Sequence, residues 1–340
     1  MKEVYKQIQE YFSIPRKILI TTHTNPDGDA IGSSLAFYKY LISKGHEVNV
    51  IVPNDYPSFL AWIPGIKDML IYKHDEKKCH KVSLEADTVC CLDFNSLHRM
   101  EKLAEVFKNK TWKRILIDHH PIPEVEAFDI VLSQTKVSST SELVYDLISE
   151  ISGKEAITRE MAECIYVGII TDTGSYSYSC NYEKTFLATA HLVALGVDGE
   201  RIHRLVYDTY SESRMRLLGY SLSERLRVFP EFSTAYIFLT KEDLKKFKFQ
   251  IGDTEGIVNY ALSIDGVSLA VLFTEKENHI RLSLRSKGNF SVNELVRLHF
   301  EGGGHRNAAG GNSTKSMEET LKQFEAILPS YKSELASVQI

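Results

Sequence analysis

Cysteine is scarce in this chain and unpatterned. Cys79, Cys90, Cys91, Cys164 and Cys180 are five in number, and no two stand in CxxC spacing. That excludes a disulfide-framed secreted domain and a thiolate zinc ribbon, and leaves reduced thiols filling a core. Apolar runs of membrane-spanning length are missing too, so no membrane-spanning helix is expected within these residues. There is no excess of basic charge: 40 Lys and Arg stand against 45 Asp and Glu, a net charge of −5. A surface that coats long nucleic acid is therefore not expected; an anionic substrate would need a local basic pocket. The first residues, Met1-Lys2-Glu3-Val4-Tyr5, are polar and mixed in charge, unlike a signal peptide, so a cytoplasmic location is expected. No Gly/Ser-rich or Pro-rich linker, internal repeat or low-complexity tract interrupts the 340 residues, a length that suits two domains joined by ordered structure.

What is present is a set of short apolar runs, each ending in acids and imidazoles. Residues 114–117 read as a buried strand that delivers Asp118-His119-His120-Pro121. Residues 17–22 run into His23-Thr24-Asn25-Pro26-Asp27-Gly28-Asp29, and residues 88–92 run into Asp93. Helical patterns alternate with them at 30–44, 97–107, 141–151 and 159–170, and further strands at 47–53 and 128–132 complete a doubly wound, mainly parallel α/β domain. In such a sheet ligands bind at the carboxyl ends of the strands. Ser138-Ser139-Thr140 precedes one helix as a cap or a phosphate nest. Residues 182–227 turn helical and charged, bridging to a second domain. It has strands at 233–239, 267–274 and 279–286, a helix at 292–300, a glycine-rich segment in which Ala308-Ala309 opens a helix, and a last helix at 317–328.

Histidine and carboxylate without thiolate suit Mn²⁺, Mg²⁺ or Fe²⁺ better than structural zinc. His23, Asp27, Asp29, Asp93, His119 and Asp172 are too many for one tetrahedral ion. They would serve two, an arrangement suited to in-line attack of a hydroxide on phosphorus. His46, His74, His80, His191, His203 and His279 lie among polar residues and read as solvated. Tyr176 and Tyr178 can either stack a base or simply pack.

Five motifs stand in order: Thr22-His23-Thr24-Asn25-Pro26-Asp27-Gly28-Asp29, Asp93 with Arg99, Asp118-His119-His120, Gly168-Ile169-Ile170-Thr171-Asp172, and Gly302-Gly303-Gly304-His305-Arg306-Asn307-Ala308-Ala309-Gly310 preceded by Arg285-Ser286. In them the chain resembles the DHH phosphoesterase superfamily over nearly its whole length, specifically the DHH–DHHA1 branch of bacterial nanoRNase and pAp-phosphatase proteins. The resemblance implies a DHH catalytic domain over 1–190, a helical linker over 191–227 and a smaller α/β DHHA1 substrate-binding domain over 228–335, with the active site in the cleft between domains. It also implies two Mn²⁺ ions, with Mg²⁺, Co²⁺ or Fe²⁺ as substitutes. His23, Asp27 and Asp93 would hold one; Asp29, Asp93, His119 and Asp172 would hold the other. His120 would face the scissile phosphate with Asp118 orienting a histidine. Arg99, Arg285, Ser286, Gly303, Gly304 and His305 would bind substrate.

The implied activity is hydrolysis of short oligoribonucleotides, linear dinucleotides such as pApA, and 3′-phosphoadenosine 5′-phosphate. Alternatives are a cyclic-dinucleotide phosphodiesterase, an inorganic pyrophosphatase or exopolyphosphatase, and a non-catalytic nucleotide sensor. Neither a membrane nor long duplex DNA is an expected partner; the resemblance leaves a homodimer open, since dimers are common among such relatives.

Overall fold

The computed structural model describes residues 1–107 and 111–338. The chain divides into two units, Met1–Thr209 and Tyr210 onward. The first opens with α1 (Lys2–Tyr11), β1 (Lys17–Thr21), α2 (Gly28–Ser43), β2 (Glu47–Val52), β3 (Leu70–Ile71), α3 (Glu76–Glu85) and β4 (Thr88–Leu92). After tight turns over Leu97–Phe107 come β5 (Lys113–Asp118), β6 (Ile130–Ser133), α4 (Thr140–Ser152), α5 (Arg159–Asp172), α6 (Glu183–Ala194) and α7 (Gly199–Tyr207).

The six strands lie in the order β3-β2-β1-β4-β5-β6, every pair parallel. Strand order reverses between β1 and β4, and that switch point is where a crevice opens at the strands' carboxyl ends. The central strands are apolar on both faces, because each face is covered. Ile18 and Ile20 of β1, Cys90 and Leu92 of β4, and Ile115 and Ile117 of β5 pack into a core with α1, α2, α4 and α5. Leu19, Val89, Cys91 and Leu116, which alternate with them along the strands, enter a second core with Cys79, Met100 and Trp112. Cys90 and Cys91 therefore point to opposite faces. All five cysteines are buried free thiols.

Two expectations are corrected in this unit. Leu97–Phe107 is not a continuous helix: it is a run of 3₁₀ turns broken at Glu101, where φ is 47°. His46 is not solvated. It is 6 % exposed, its Nδ1 accepts the Arg16 N–H at 3.1 Å, and its ring meets Phe12 edge-on.

The second unit comprises α8 (Glu212–Tyr220), β7 (Leu226–Phe229), β8 (Thr234–Leu239), α9 (Lys241–Lys246), α10 (Ile257–Leu262), β9 (Leu269–Glu275), β10 (Ile280–Ser286), α11 (Val292–His299), β11 (Glu301–Gly304), β12 (Ala308–Ser313) and α12 (Met317–Ala336). Its sheet runs β11-β12-β10-β9-β8-β7, with β8 and β9 parallel and the other pairs antiparallel. Leu282, Leu284 and Phe273 pack under α11 and α12. Ile237, Ala270 and Leu272 pack on the other face against Leu217, Ile257 and Ala261.

The glycine-rich segment overturns its expectation. Ala308 and Ala309 open no helix; they begin β12, which pairs with the glycines of β11, Gly302 opposite Gly311 and Gly304 opposite Ala309. Two backbone N–H groups of this segment are engaged within the protein. That of Gly304 donates to Asn293 Oδ1 at 3.0 Å and that of His305 to the Ala308 carbonyl at 2.8 Å. Among the described residues no helix is long and apolar enough to cross a membrane.

Candidate metal centre

Three strand ends and two helix ends of the first unit bring the acids and imidazoles together. His23 follows β1. Its Nδ1 donates to the Thr24 carbonyl at 2.9 Å, which leaves Nε2 facing Asp93 Oδ2 at 3.6 Å. Burial, with the charge of Arg99 adding to it, holds the His23 pKa below its usual range, so the imidazole is neutral and ligand-competent. Asp27 caps α2, its Oδ1 accepting the N–H groups of Asp29 and Ala30 at 3.0 and 3.1 Å. His23, Asp27 and Asp93 form one group whose ligand atoms all lie within 4.8 Å of one another.

Asp93 follows β4 directly, in the left-handed region with φ 65°. A non-glycine residue held there by its surroundings marks a place where side-chain aim outweighs backbone ease. Its two oxygens face different imidazoles. Oδ2 is turned to His23, and Oδ1 lies 3.5 Å from His119 Nε2. That same Nε2 is 3.8 Å from Asp29 Oδ2 and 3.3 Å from Asp172 Oδ2. Asp29, Asp93 and His119 form a second compact group. Asp172 is the last residue of α5, and Asp29 stands in the first turn of α2.

His120 Nδ1 lies 2.7 Å from Asp118 Oδ1, so Asp118 orients this imidazole. Burial pushes the Asp118 carboxyl up to about 7, against the lowering effect of the His120 and His119 backbone N–H groups and of Arg99. Arg99 is thus within electrostatic reach of both His23 and Asp118.

Asp29 and Asp93 are 1 % and 2 % exposed, and every described cationic group within ion-pair distance of either is a histidine. Burial, and for each the charge of a neighbouring carboxylate, drives both pKa values well up. Buried carboxylates with no lysine or arginine to pair them are costly to fold around unless a cation joins them. Oxygen and imidazole donors without thiolate fit divalent Mn, Mg or Fe, so the residues present fit the metals the sequence implies.

The supports of this centre were less visible in the sequence. Ser139 caps α4 by accepting the Glu142 N–H at 3.1 Å, and the Ser138 N–H donates to Glu142 Oε2 at 3.0 Å. The first N–H groups of α4, those of Thr140 and Ser141, bind Asp29 Oδ2 and Oδ1 at 2.7 and 2.8 Å. The phosphate nest considered for this segment is thus filled by the protein's own carboxylate. The Thr140 hydroxyl donates to Asp93 Oδ1 at 2.9 Å. Tyr176 belongs to the packing: its hydroxyl meets Thr189 at 2.9 Å and its ring stacks on Phe186.

In the second unit, Arg285 lies on β10 with Nη1 donating to the Leu284 carbonyl at 2.9 Å, and its buried Nε has no hydrogen-bond partner among the described residues. Ser286 is buried, its hydroxyl donating to the Phe290 carbonyl at 2.7 Å and accepting from Asn307 Nδ2 at 3.0 Å; it braces the turn that carries Asn307. Gly303, Gly304 and His305 form the end of the glycine hairpin.

Comparison with known proteins agrees with this geometry. Residues 17–169 match the DHH family, N-terminal domain, and residues 234–333 match the DHHA1 domain. A crystal structure of an exopolyphosphatase-related protein from Bacteroides fragilis superposes with a TM-score of 0.92 at 44 % identity, over 98 % of each chain. The bifunctional oligoribonuclease and PAP phosphatase NrnA of Bacillus subtilis is 29 % identical over 87 % of this chain and 88 % of its own. The probable Streptococcus mutans counterpart is 29 % identical over 92 % and 93 %. The chain therefore belongs to the DHH–DHHA1 superfamily of metal-dependent phosphoesterases, in the branch related to bacterial NrnA-like proteins.

Proposed function

We propose that the protein is a Mn²⁺-dependent phosphoesterase that hydrolyses short oligoribonucleotides, linear dinucleotides and 3′-phosphoadenosine 5′-phosphate. The observation that carries this reading is the aim of Asp93, one oxygen toward each imidazole-carboxylate group. His23, Asp27 and Asp93 would hold one cation, and Asp29, Asp93, His119 and Asp172 the other. Two such cations supply Lewis acidity and charge neutralisation at a phosphate. The chain's own groups do the rest. The Thr24 carbonyl keeps His23 in the tautomer whose Nε2 is a donor to metal. Asp118 holds His120 and stabilises its protonated form, so that His120 can stabilise charge on the scissile phosphate or pass a proton to the leaving oxygen. Arg99, Arg285, Gly303, Gly304 and His305 are proposed to bind the substrate, with Ser286 supporting them. The oligoribonuclease and PAP phosphatase activities for which the NrnA relatives are named support the nucleotide substrates.

A second reading, hydrolysis of pyrophosphate or polyphosphate by the same metal set, is favoured by the name of the Bacteroides fragilis relative. Turnover with Mn²⁺ on pApA, a five-nucleotide RNA, 3′-phosphoadenosine 5′-phosphate, pyrophosphate and polyphosphate, with Asp93→Ala as control, separates the two. Cleavage of nucleotides that is lost in the control is the expected result; turnover of the inorganic substrates alone overturns it.

A further inference from the structure

Thr140 touches both groups of the candidate centre and is a ligand of neither. It is fully buried. Its N–H lies 2.7 Å from Asp29 Oδ2 and its hydroxyl 2.9 Å from Asp93 Oδ1. Asp29 enters only the group with His119, whereas Asp93 enters both. One residue at the start of α4 thus sets the tilt of a carboxylate particular to one group and of the carboxylate common to the two. Each of these contacts occupies one lone pair of its oxygen and leaves another to face the imidazoles. The backbone bond is available to any residue but proline. The hydroxyl bond requires serine or threonine, and the β-branched threonine has a restricted χ1 that fixes where the proton points.

We infer that Thr140 is the positioning residue that couples the two cation sites, its hydroxyl orienting Asp93 so that one oxygen serves each. This rests on the metal-dependent reading above. What sets Thr140 apart from an ordinary first residue of a helix is its hydroxyl bond to Asp93, a carboxylate nearly excluded from solvent. Removing the hydrogen-bond donor behind a ligating carboxylate characteristically weakens metal binding about 10–100-fold.

The test is Mn²⁺ titration of the EDTA-stripped full chain by calorimetry, for wild type, Thr140→Val and Thr140→Ser, with the thermal midpoint of each stripped protein measured in parallel. Thr140→Ala carries the same comparison should the valine variant fail to fold. The expected result is two equivalents of Mn²⁺ bound by wild type and by Thr140→Ser. Thr140→Val should bind at least about tenfold more weakly, with electron paramagnetic resonance showing loss of the exchange-coupled two-ion signal. A merely structural role would lower the midpoint of the stripped variant and leave affinity and coupling as in wild type, and that result overturns the inference. So does a serine variant as impaired as the valine one. A wild-type chain that takes up no cation overturns the metal-dependent reading as well, and the wild-type arm shows it directly.

Discussion

Gly168 of α5 lies so close to Ser141 of α4 that a Cβ built on it would stand 1.9 Å from the serine Oγ and 2.7 Å from Asp29 Oδ1. Gly32 of α2 is equally constrained, with a Cβ 2.4 Å from the Cys164 backbone carbonyl. These glycines let α2, α4 and α5 approach closely enough for the start of α4 to reach Asp29. Gly168→Ala is expected to destabilise the first unit by about 1–3 kcal/mol, the usual cost of overpacking, and to weaken Mn²⁺ binding by displacing Asp29. Gly219→Ala is the contrast. A Cβ there meets nothing within 4 Å, and the position lies inside α8, so a gain of about 0.5–1 kcal/mol is expected. Urea unfolding of both variants checks the pair; equal effects would refute the close-approach account.

The proposed role of Asp93 as a cation ligand comes at the expense of the stripped protein. Its carboxylate is buried among Asp27, Asp172 and Asp118, all of which raise its pKa after burial itself. Asp93→Asn keeps the shape and an acceptor for Thr140 while removing the charge. The expected outcome is no turnover, and a stripped protein at least as thermostable as wild type, its midpoint rising by about 3 °C for each kcal/mol relieved in a unit of this size. Added Mn²⁺ should raise the wild-type midpoint and not that of the variant. Calorimetry with EDTA and with Mn²⁺ reads all four states. A stripped Asp93→Asn well below wild type would mean that the carboxylate stabilises the fold by itself.

The difference in how Asp93 and Thr140 come to light shows what a sequence carries. Asp93, Asp118, His119 and His120 each close an apolar run, and an acid or imidazole at the end of a buried strand is visible without coordinates. The part played by Thr140 is invisible there, because its partners Asp93 and Asp29 lie 47 and 111 residues away in sequence. The glycine-rich segment misleads for another reason. Gly302-Gly303-Gly304 and Ala308-Ala309 have no hydrophobic period of either kind, so only their pairing with each other, and that of β12 with β10, makes strands of them. His46 reads as solvated from its neighbours Gly45 and Glu47, yet the fold closes Phe12 and Arg16 over it.

Asp243 in the second unit gives a pH dependence independent of any cation. Burial alone would raise its pKa. Arg225, the Thr240 N–H and the Tyr220 hydroxyl outweigh that and hold it down at about 2, through bonds of 2.8–3.0 Å. A carboxyl depressed in the folded state stabilises above its unfolded pKa, near 4, and that contribution is lost as pH falls toward 2. The depression corresponds to about 2 kcal/mol at neutral pH. Asp243→Asn is expected to lower the unfolding free energy of the second unit by about that much at pH 7, the gap from wild type narrowing between pH 4 and pH 2. Urea unfolding across that range checks it; a gap independent of pH would assign the loss to packing.

The glycine hairpin offers a way to perturb the proposed substrate-binding residues without touching a proposed metal ligand. A Cβ on Gly302 would stand 2.1 Å from the Gly310 carbonyl oxygen and 2.6 Å from the Gly311 Cα. Both are backbone atoms of the paired strand, so no side-chain rotation relieves the clash, and β11 must move away from β12 in Gly302→Ala. His23, Asp27, Asp29, Asp93, His119 and Asp172 all lie in the other unit, so Mn²⁺ titration of the stripped variant should match wild type. KM for pApA should rise about tenfold or more, the scale of losing a contact worth about 1.4 kcal/mol, as Gly303, Gly304 and His305 are displaced. Unchanged KM would remove the hairpin from substrate binding. A parallel loss of Mn²⁺ affinity would show instead that the hairpin matters to the metal centre itself.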